Sequence, residues 1–291
     1  MKSPDFDYVK VKSVTEALAL LLEHGDDARI LAGGQTLLAT LNMRLSEPAL
    51  LIDITGIDAL RCIELRGDRL YIGALATHAV IESSSLVAEH APMLTAAAPH
   101  IAHCAIRNSG TWGGSLAYGD PAAEWPCCLA ALDGVVVVQG PKGQRRIAAD
   151  EFFQYLYTTD LQPDEIIIGA DVPLATKADW FGFDELARRH GDYAVAGLAV
   201  AARFDGTTAR NLCLSFLGIG NTPIRAHQTE AFLKDKTLDT ATIDLAVAML
   251  KTELDPTADL THESATKRHL ATVLARRLLG AAHASRNALV G

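Results

Sequence analysis

Two short glycine-paired loops hold the residues of this chain whose types and spacing best suit chemistry. The first loop is Leu31-Ala32-Gly33-Gly34-Gln35-Thr36, and the second is Thr111-Trp112-Gly113-Gly114-Ser115. Glycine lets an oxygen atom approach the main chain and allows positive φ, while neighbouring N–H groups and hydroxyls can donate hydrogen bonds. Together the loops predict opposite walls of a site for an anionic cofactor. Arg107 either approaches that anion or fixes the second loop by bonding main-chain carbonyls.

The first loop joins a predicted strand to a predicted helix. At this position its N–H groups converge on the positive end of a helix, and that geometry favours phosphate binding. Thr36 either caps the helix or donates to the anion. A tight turn with a threonine cap is the alternative, and the loop alone leaves it open. The spacing is not Gly-x-Gly-x-x-Gly and no Gly-Lys-Ser or Gly-Lys-Thr occurs, so neither a Rossmann site nor a P-loop is expected.

The elements around these loops alternate between helix and strand over the first part of the chain. Leucines mark a helix over residues 14–23, residues 28–31 and 50–54 form strands, and leucines at helical spacing predict a helix from Leu37 to Glu47-Pro48. Further along, turns and apolar runs predict helices around residues 80–84, 92–104 and 122–132, a hairpin of 135–139 with 145–148, and a last strand over 165–172.

The order of elements changes after a predicted linker at residues 176–179. Strands are expected first, at residues 182–189, 194–204 and 209–217, and helices afterwards, at about 227–233, 240–254 and 264–282. Strands followed by helices indicate helices packed on one face of an antiparallel sheet. The predicted fold class is therefore α+β, with a two-part domain over residues 1–175, divided into about 1–60 and 61–175, and an α+β domain over 176–291.

Composition narrows the class of protein. With 291 residues, 49% of them hydrophobic, and a net charge of −9, the chain suits a globular protein without affinity for nucleic acid. No apolar run approaches the ~20 residues that span a bilayer, and acids with a proline near the amino terminus argue against a signal peptide, so a soluble, cytoplasmic protein is expected. Its five irregularly spaced cysteines suit reduced thiols. The grouping of His100, His103 and Cys104 lacks further ligands, so no metal site is expected.

The stretch around the second loop, residues 105–126, resembles the signature of the FAD-binding medium subunits of molybdenum hydroxylases. This family includes the medium subunit of carbon monoxide dehydrogenase and the flavin domain of xanthine dehydrogenase. The first loop, residues 164–167 before Val172-Pro173, and residues 188–194 follow in the family's order and spacing. The resemblance implies a PCMH-type FAD-binding domain whose two glycine loops hold the FAD pyrophosphate.

Through this resemblance, cofactor contacts are expected along the two loops and at a few later positions. Glu124 stands where the family commonly has an aspartate that hydrogen-bonds the flavin side of the cofactor. Ile167 and Ile168 match the strand beside the isoalloxazine ring, or are simply buried, and Tyr193 either lies near the ring or is structural. The expected FAD-binding residues are Ala32, Gly33, Gly34, Gln35, Thr36, Thr111, Trp112, Gly113, Gly114, Ser115, Glu124, Ile167, Ile168 and Tyr193. No catalytic acid or base is expected.

Two of these positions depart from the family pattern. Ser115 stands where asparagine is more usual, and Trp112 stands where a smaller aliphatic residue is common. Neither change abolishes a phosphate site built on the main chain, but both alter how the second loop packs.

The resemblance also implies a heteromeric complex. Related hydroxylases need molybdopterin and [2Fe-2S] clusters, and this chain has neither the length nor the cysteine groupings to carry them. A large molybdopterin subunit and a small iron–sulfur subunit are therefore expected as partners, in a dimer of heterotrimers. The chain would be an electron-transfer subunit that passes electrons from the clusters to an external acceptor. A self-sufficient flavin oxidoreductase, or a non-enzymatic interaction subunit whose glycine loops are merely turns, are the alternatives.

Overall fold

A computed structural model describes residues 2–290 of the chain, and its first part is a small parallel sheet. The strands lie in the order β1-β3-β2, so that β3 is central and buried throughout. The side chain of Ser13 accepts a hydrogen bond from the Glu16 N–H and thereby starts the first helix. The elements are β1 (Asp7–Lys10), α1 (Val14–His24), a 3-10 turn (Gly25–Asp27), β2 (Ala28–Leu31), α2 (Leu37–Asn42) and β3 (Leu50–Asp53).

A second sheet of five antiparallel strands follows, with the order β4-β5-β10-β6-β7. Its strands are β4 (Ile63–Arg66), β5 (Arg69–Gly73), β6 (Val135–Gly140), β7 (Gly143–Ala148) and β10 (Ile166–Pro173), and β8 (Phe153–Tyr155) pairs separately with β9 (Thr158–Thr159). The helices of this part are α3 (His78–Ser83), α4 (Ser85–His90), α5 (Pro92–Ala97), α6 (Cys104–Arg107), α7 (Trp112–Tyr118), α8 (Glu124–Ala131) and α9 (Ala149–Phe152), with 3-10 turns at Asp58–Arg61 and Ala98–His100.

The third sheet confirms the predicted order of strands before helices. It runs β11-β12-β13-β14, all antiparallel, and β15 pairs with β13. The elements are β11 (Asp179–Ala187), β12 (Ala194–Asp205), β13 (Thr208–Leu217), β14 (Ile224–Arg225), α10 (His227–Leu233), β15 (Lys236–Thr237), α11 (Thr240–Glu253) and α12 (Ser264–Val290).

Three hydrophobic clusters hold these layers together. One lies under the first sheet, one surrounds α8 and the second sheet, and one lies between the third sheet and helices α11 and α12. On β12, Leu198 belongs to the last of these clusters, with α11 and α12, whereas its neighbour Ala199 belongs to the second cluster, around α8. The reason is that alternate side chains of a strand point to opposite faces. The third sheet is thus covered on both faces. Since the second cluster draws residues from both sides of residue 175, the domain division there stays a prediction.

Three predicted helices differ from those in the structure. The last one, expected over about residues 264–282, continues to Val290. The helix expected up to Glu47-Pro48 ends at Asn42, where the chain soon turns through Arg44 with a φ of 56°, a value outside the right-handed helical region. The helix expected over residues 92–104 is divided into α5, a 3-10 turn and α6. Pro99 lacks the N–H of a continuing helix, and Ala102 has a φ of 42°.

Over the part of the chain that the structure describes, no helix combines the length and the apolar character needed to cross a bilayer.

Candidate functional site

A cleft of about 660 Å³ lies between the first and second sheets, and both glycine loops line it. This volume is within the range of small-molecule and cofactor sites. Ile54, Ala74 and Ile167 contribute apolar side chains to its wall. The structure therefore brings the two loops to one cavity.

The first loop touches the segment Ser109–Gly110, which immediately precedes the second loop, through main-chain atoms. A Cβ atom added to Gly33 would collide with the carbonyl oxygen of Ser109 and would lie 2.9 Å from the Cα of Gly110. The colliding atoms are backbone on both sides and have little room to shift. Only glycine at position 33 allows this approach.

The first loop presents a run of unpaired main-chain donors. Helical bonding begins with Leu38 N–H to the Gly34 carbonyl, at 3.1 Å, and continues with Thr40 N–H to the Thr36 carbonyl, at 3.0 Å. Within residues 2–290, the N–H groups of residues 33–37 have no protein acceptor. Thr36 occupies the N-cap of α2, yet its side chain makes no capping hydrogen bond. Successive free N–H groups form an anion-binding concavity.

The second loop differs, because the N–H groups of residues 112–115 are already engaged, whereas the Thr111 N–H has no protein acceptor within residues 2–290. Trp112 and Gly113 donate to the carbonyls of Ala76, at 2.9 Å, and Ala74, at 2.8 Å. Gly114 donates to the Thr111 hydroxyl oxygen at 3.2 Å, and Ser115 donates to the Thr111 carbonyl. Thr111 thus caps α7. What remains for a ligand is the Thr111 N–H together with the hydroxyls of Thr111 and Ser115.

The side chains of Trp112 and Arg107 fix the second loop from behind. Trp112 is fully buried and packs edge-on against Trp125, with ring centroids 5.4 Å apart. Arg107 donates to a Glu82 carboxylate oxygen at 2.8 Å and to the carbonyls of Ile101 and Ala102. Of the two roles considered for Arg107, the structure supports the fixing of the loop.

His78 is a cleft residue that the sequence analysis missed. It starts α3, is only 6% exposed, and accepts a hydrogen bond at Nδ1 from the Trp125 indole N–H at 2.8 Å. Burial, with a smaller contribution from the charge of Arg107, lowers the pKa of His78 to about 4. No local pattern marks this residue, because its indole partner is 47 positions away in the sequence.

Two tyrosines line the cleft near the second loop. The rings of Tyr118 and Tyr157 lie 5.0 Å apart, and burial raises the pKa of Tyr118 to about 12. Tyr193 lies outside the wall and is 72% exposed, although its pKa is raised by burial and by the charge of Asp120. These tyrosines therefore stay protonated at neutral pH.

Strand β10 supplies one of its two expected residues to the cleft. Ile167 lines it, but Ile168 does not. The register with β6 shifts between Ile167 and Gly169, so Ile168 is the extra residue of a β-bulge. Its carbonyl accepts hydrogen bonds from the Tyr71 hydroxyl and the Ala74 N–H. The bulge directs Ile168 away from the cleft and fixes it in the sheet.

Glu124 lies at the start of α8, outside the wall of the cleft. Burial and the neighbouring Glu185 carboxylate raise its pKa to about 8. Glu185 comes from β11, and its Oε1 lies 3.6 Å from His100 Nδ1. Its buried Oε2 has no hydrogen-bond partner. The nearby Glu185 carboxylate raises the pKa of His100. Glu124, Glu185 and His100 form a titratable cluster between α8 and β11.

The structure divides the expected site residues into two sets. Those in the wall of the cleft are Ala32, Gly33, Gly34, Gln35, Thr36, Thr111, Gly113, Gly114, Ser115 and Ile167, and those outside it are Trp112, Glu124, Ile168 and Tyr193. The wall also contains polar residues that were not expected, namely His78, Tyr118, Tyr157, Arg29 and Glu165. Within residues 2–290 no group of three or more histidine, cysteine or acidic side chains could hold a metal ion.

Comparison with known proteins assigns most of the chain. The family described as FAD binding domain in molybdopterin dehydrogenase matches residues 4–175, and the CO dehydrogenase flavoprotein C-terminal domain matches residues 181–282. The chain is 41% identical over 290 residues to the 6-hydroxypseudooxynicotine dehydrogenase complex subunit alpha of Paenarthrobacter nicotinovorans, covering 98% of this chain and 97% of that one.

Two solved structures show the same architecture. A carbon monoxide dehydrogenase chain from Hydrogenophaga pseudoflava, in a form that lacks the Mo-pyranopterin moiety of the molybdenum cofactor, superimposes with a TM-score of 0.95 at 36% identity. A quinoline 2-oxidoreductase chain from Pseudomonas putida 86 gives a TM-score of 0.93 at 32% identity. Each comparison covers 98% of this chain and 99% of the other.

Replacing Glu124 by glutamine should change how the stability of the protein depends on pH. The carboxyl pKa is about 8 in the folded chain and near the ordinary 4.5 when unfolded, so the folded state binds the extra proton between these values. Wild-type stability should therefore fall as pH rises from about 4.5 through 8, by at most about 1.4 kcal/mol per pH unit. Glu124→Gln should melt higher than wild type at pH 9 and close to it at pH 5.

The measurement is the melting temperature of both proteins across this pH range. Glu23→Gln, at an exposed position on α1, serves as the control and should follow the wild-type curve. Parallel curves for wild type and Glu124→Gln would show that Glu124 is ionised in the folded chain throughout.

Proposed function

This chain belongs to the family defined by the FAD binding domain in molybdopterin dehydrogenase, and we propose that it is the FAD-carrying electron-transfer subunit of a heteromeric molybdenum hydroxylase. It is an oxidoreductase subunit, and FAD is its cofactor. The observation that carries the proposal is the run of free N–H groups over residues 33–37, which faces a cleft of suitable volume.

The residues present fit a dinucleotide diphosphate. The N–H groups of residues 33–37 have no protein acceptor within residues 2–290, and these residues line the cleft, as an anion site requires. The Thr36 hydroxyl is not used in capping and is available to the same anion. The hydroxyls of Thr111 and Ser115 lie in the wall of the same cleft. The first loop therefore donates mainly from the main chain, and the second mainly from side chains.

The rest of the cleft suits the apolar and aromatic parts of the cofactor. Ile166, Ile167 and Ala74 offer an apolar wall, and the Tyr118–Tyr157 pair offers aromatic faces and neutral hydroxyls. Bound FAD supplies a redox centre that accepts electrons singly and releases them in pairs. The chain's own part is to hold this group, orient it and keep water from its buried face.

Partner chains complete the proposed enzyme. We place the molybdopterin centre on a large subunit and the [2Fe-2S] clusters on a small one, in a dimer of heterotrimers. Relatives named as a dehydrogenase complex subunit and as medium chains support this arrangement. A cytoplasmic location is proposed because all five cysteines are free thiols, which suits a reducing compartment. The substrate would be oxidised on the large subunit, so this chain needs no substrate pocket.

The approach of the two loops makes Gly33→Ala a sharp test of the cleft. Because the added methyl group meets the Ser109 main chain, the loops must separate, and the hydrogen bonds to the diphosphate should weaken together. We expect FAD affinity to fall by roughly 10- to 100-fold, measured by titration of the flavin-free chain. Gly280→Ala is the control, since an added Cβ there meets nothing within 4 Å. Unchanged affinity in Gly33→Ala would contradict the assignment of the loops.

The purified full chain distinguishes the proposed function from its alternatives. We expect a yellow protein that releases FAD on denaturation and whose flavin absorbance is not bleached by any organic substrate of the assembled enzyme. Co-expression with the large and small subunits should restore that bleaching. A colourless chain would favour an interaction subunit, and bleaching by substrate in the isolated chain would favour a self-sufficient oxidoreductase.

A further inference from the structure

His78 is a firmly positioned polar side chain in the wall of the cleft. Its ring is buried between the start of α3 and the indole of Trp125, with centroids 5.9 Å apart. Its main-chain N–H donates to the Gly110 carbonyl at 3.0 Å, which ties it to the second loop. The imidazole therefore has one orientation relative to the glycine loops.

The chemistry of its partner determines where the imidazole proton lies. An indole N–H is a donor only, so the Nδ1 atom that receives it must be unprotonated. A neutral imidazole then carries its single proton on Nε2. The low pKa of His78 is consistent with this neutral state.

The Nε2 atom lies beneath Gly110, the residue that precedes the second loop. A Cβ added to Gly110 would be 2.6 Å from it, so the loop can cross the ring only as glycine. Within residues 2–290 no protein group accepts a hydrogen bond from Nε2, and this atom is not among the fully buried polar atoms that lack a partner. Since His78 lines the cleft, its Nε2–H is a donor open to that cavity.

We propose that His78 donates a hydrogen bond from Nε2–H to a diphosphate oxygen of the bound dinucleotide. This contact rests on the FAD binding proposed above. The choice of the diphosphate follows from the place of Nε2 under Gly110, at the entry to the second loop, whose hydroxyls line the same cleft as the free N–H groups of the first loop. An uncharged donor fits there, because it adds a hydrogen bond without placing a cation in the apolar wall.

The contact is tested with the flavin-free full chain, using FAD and ADP as probes. ADP carries the diphosphate but no ribityl chain or isoalloxazine ring. His78→Phe should weaken both ligands by about 10- to 100-fold, which is the range for a hydrogen bond to a charged acceptor. Weaker FAD with unchanged ADP would overturn the assignment to the diphosphate, and unchanged affinity for both would overturn the contact itself.

A second variant separates binding from folding. His78→Phe leaves the buried Trp125 N–H without an acceptor, which destabilises the chain. The double variant His78→Phe/Trp125→Phe removes both polar groups and keeps an aromatic pair, and it should melt higher than the single variant. Its ADP affinity should remain as low as that of His78→Phe. Recovery of wild-type affinity in the double variant would show that the single variant acted only through folding.

Nitrogen-15 NMR of the labelled wild-type chain gives a readout independent of affinity. We expect the Nε2–H tautomer before ligand is added, and a downfield shift with slower solvent exchange of that proton when ADP binds. An Nδ1–H tautomer, or an Nε2–H that exchanges equally fast with and without ADP, would overturn the proposal. A wild-type chain that binds neither FAD nor ADP would instead overturn the proposed function, and this contact with it.

Discussion

The main-chain contact between Gly33 and the Ser109–Gly110 segment is the constraint on which the cleft depends. It joins the loop after β2 of the parallel sheet to the segment between α6 and α7 without an intervening side chain. The next residue of that segment, Gly110, also crosses directly over the His78 ring. Because these groups are in close contact, none of the two loops and the imidazole can shift without displacing the others.

Behind this contact, the aromatic side chains Trp112, Trp125 and His78 form a rigid support. Both indoles are fully buried, and the Trp125 N–H sets the orientation of the imidazole. The loop in front of them needs little rearrangement to receive a ligand, because the N–H groups of Trp112 and Gly113 are already bonded to the carbonyls of Ala76 and Ala74. Such support lowers the entropic cost of binding. The first loop, by contrast, keeps its donors unpaired.

Much of this architecture could be predicted from local patterns. Periodicity located the strands and helices, and the glycine pairs located both walls of the cleft. The parts that could not be predicted depend on contacts distant in sequence. The N–H groups of Trp112 and Gly113 donate to carbonyls near position 75, and the orientation of the His78 ring depends on its hydrogen bond from Trp125. Glu124 meets Glu185 across two layers, and Ile168 is displaced by a bulge that no local pattern marks.

Helix α8 belongs to two layers at once. Residues 125–131 are all buried, and the helix packs against β12 and β13 on one side and against α5 and α7 on the other. The Cys127 thiol even donates to the carbonyl of Ser215 on β13. The boundary between the two family regions is therefore not a point at which halves of different relatives can be joined without disturbing the core. A chimera that exchanges the carboxyl-terminal sheet between relatives has to include α8 from the same relative, since this helix packs against both halves of the chain.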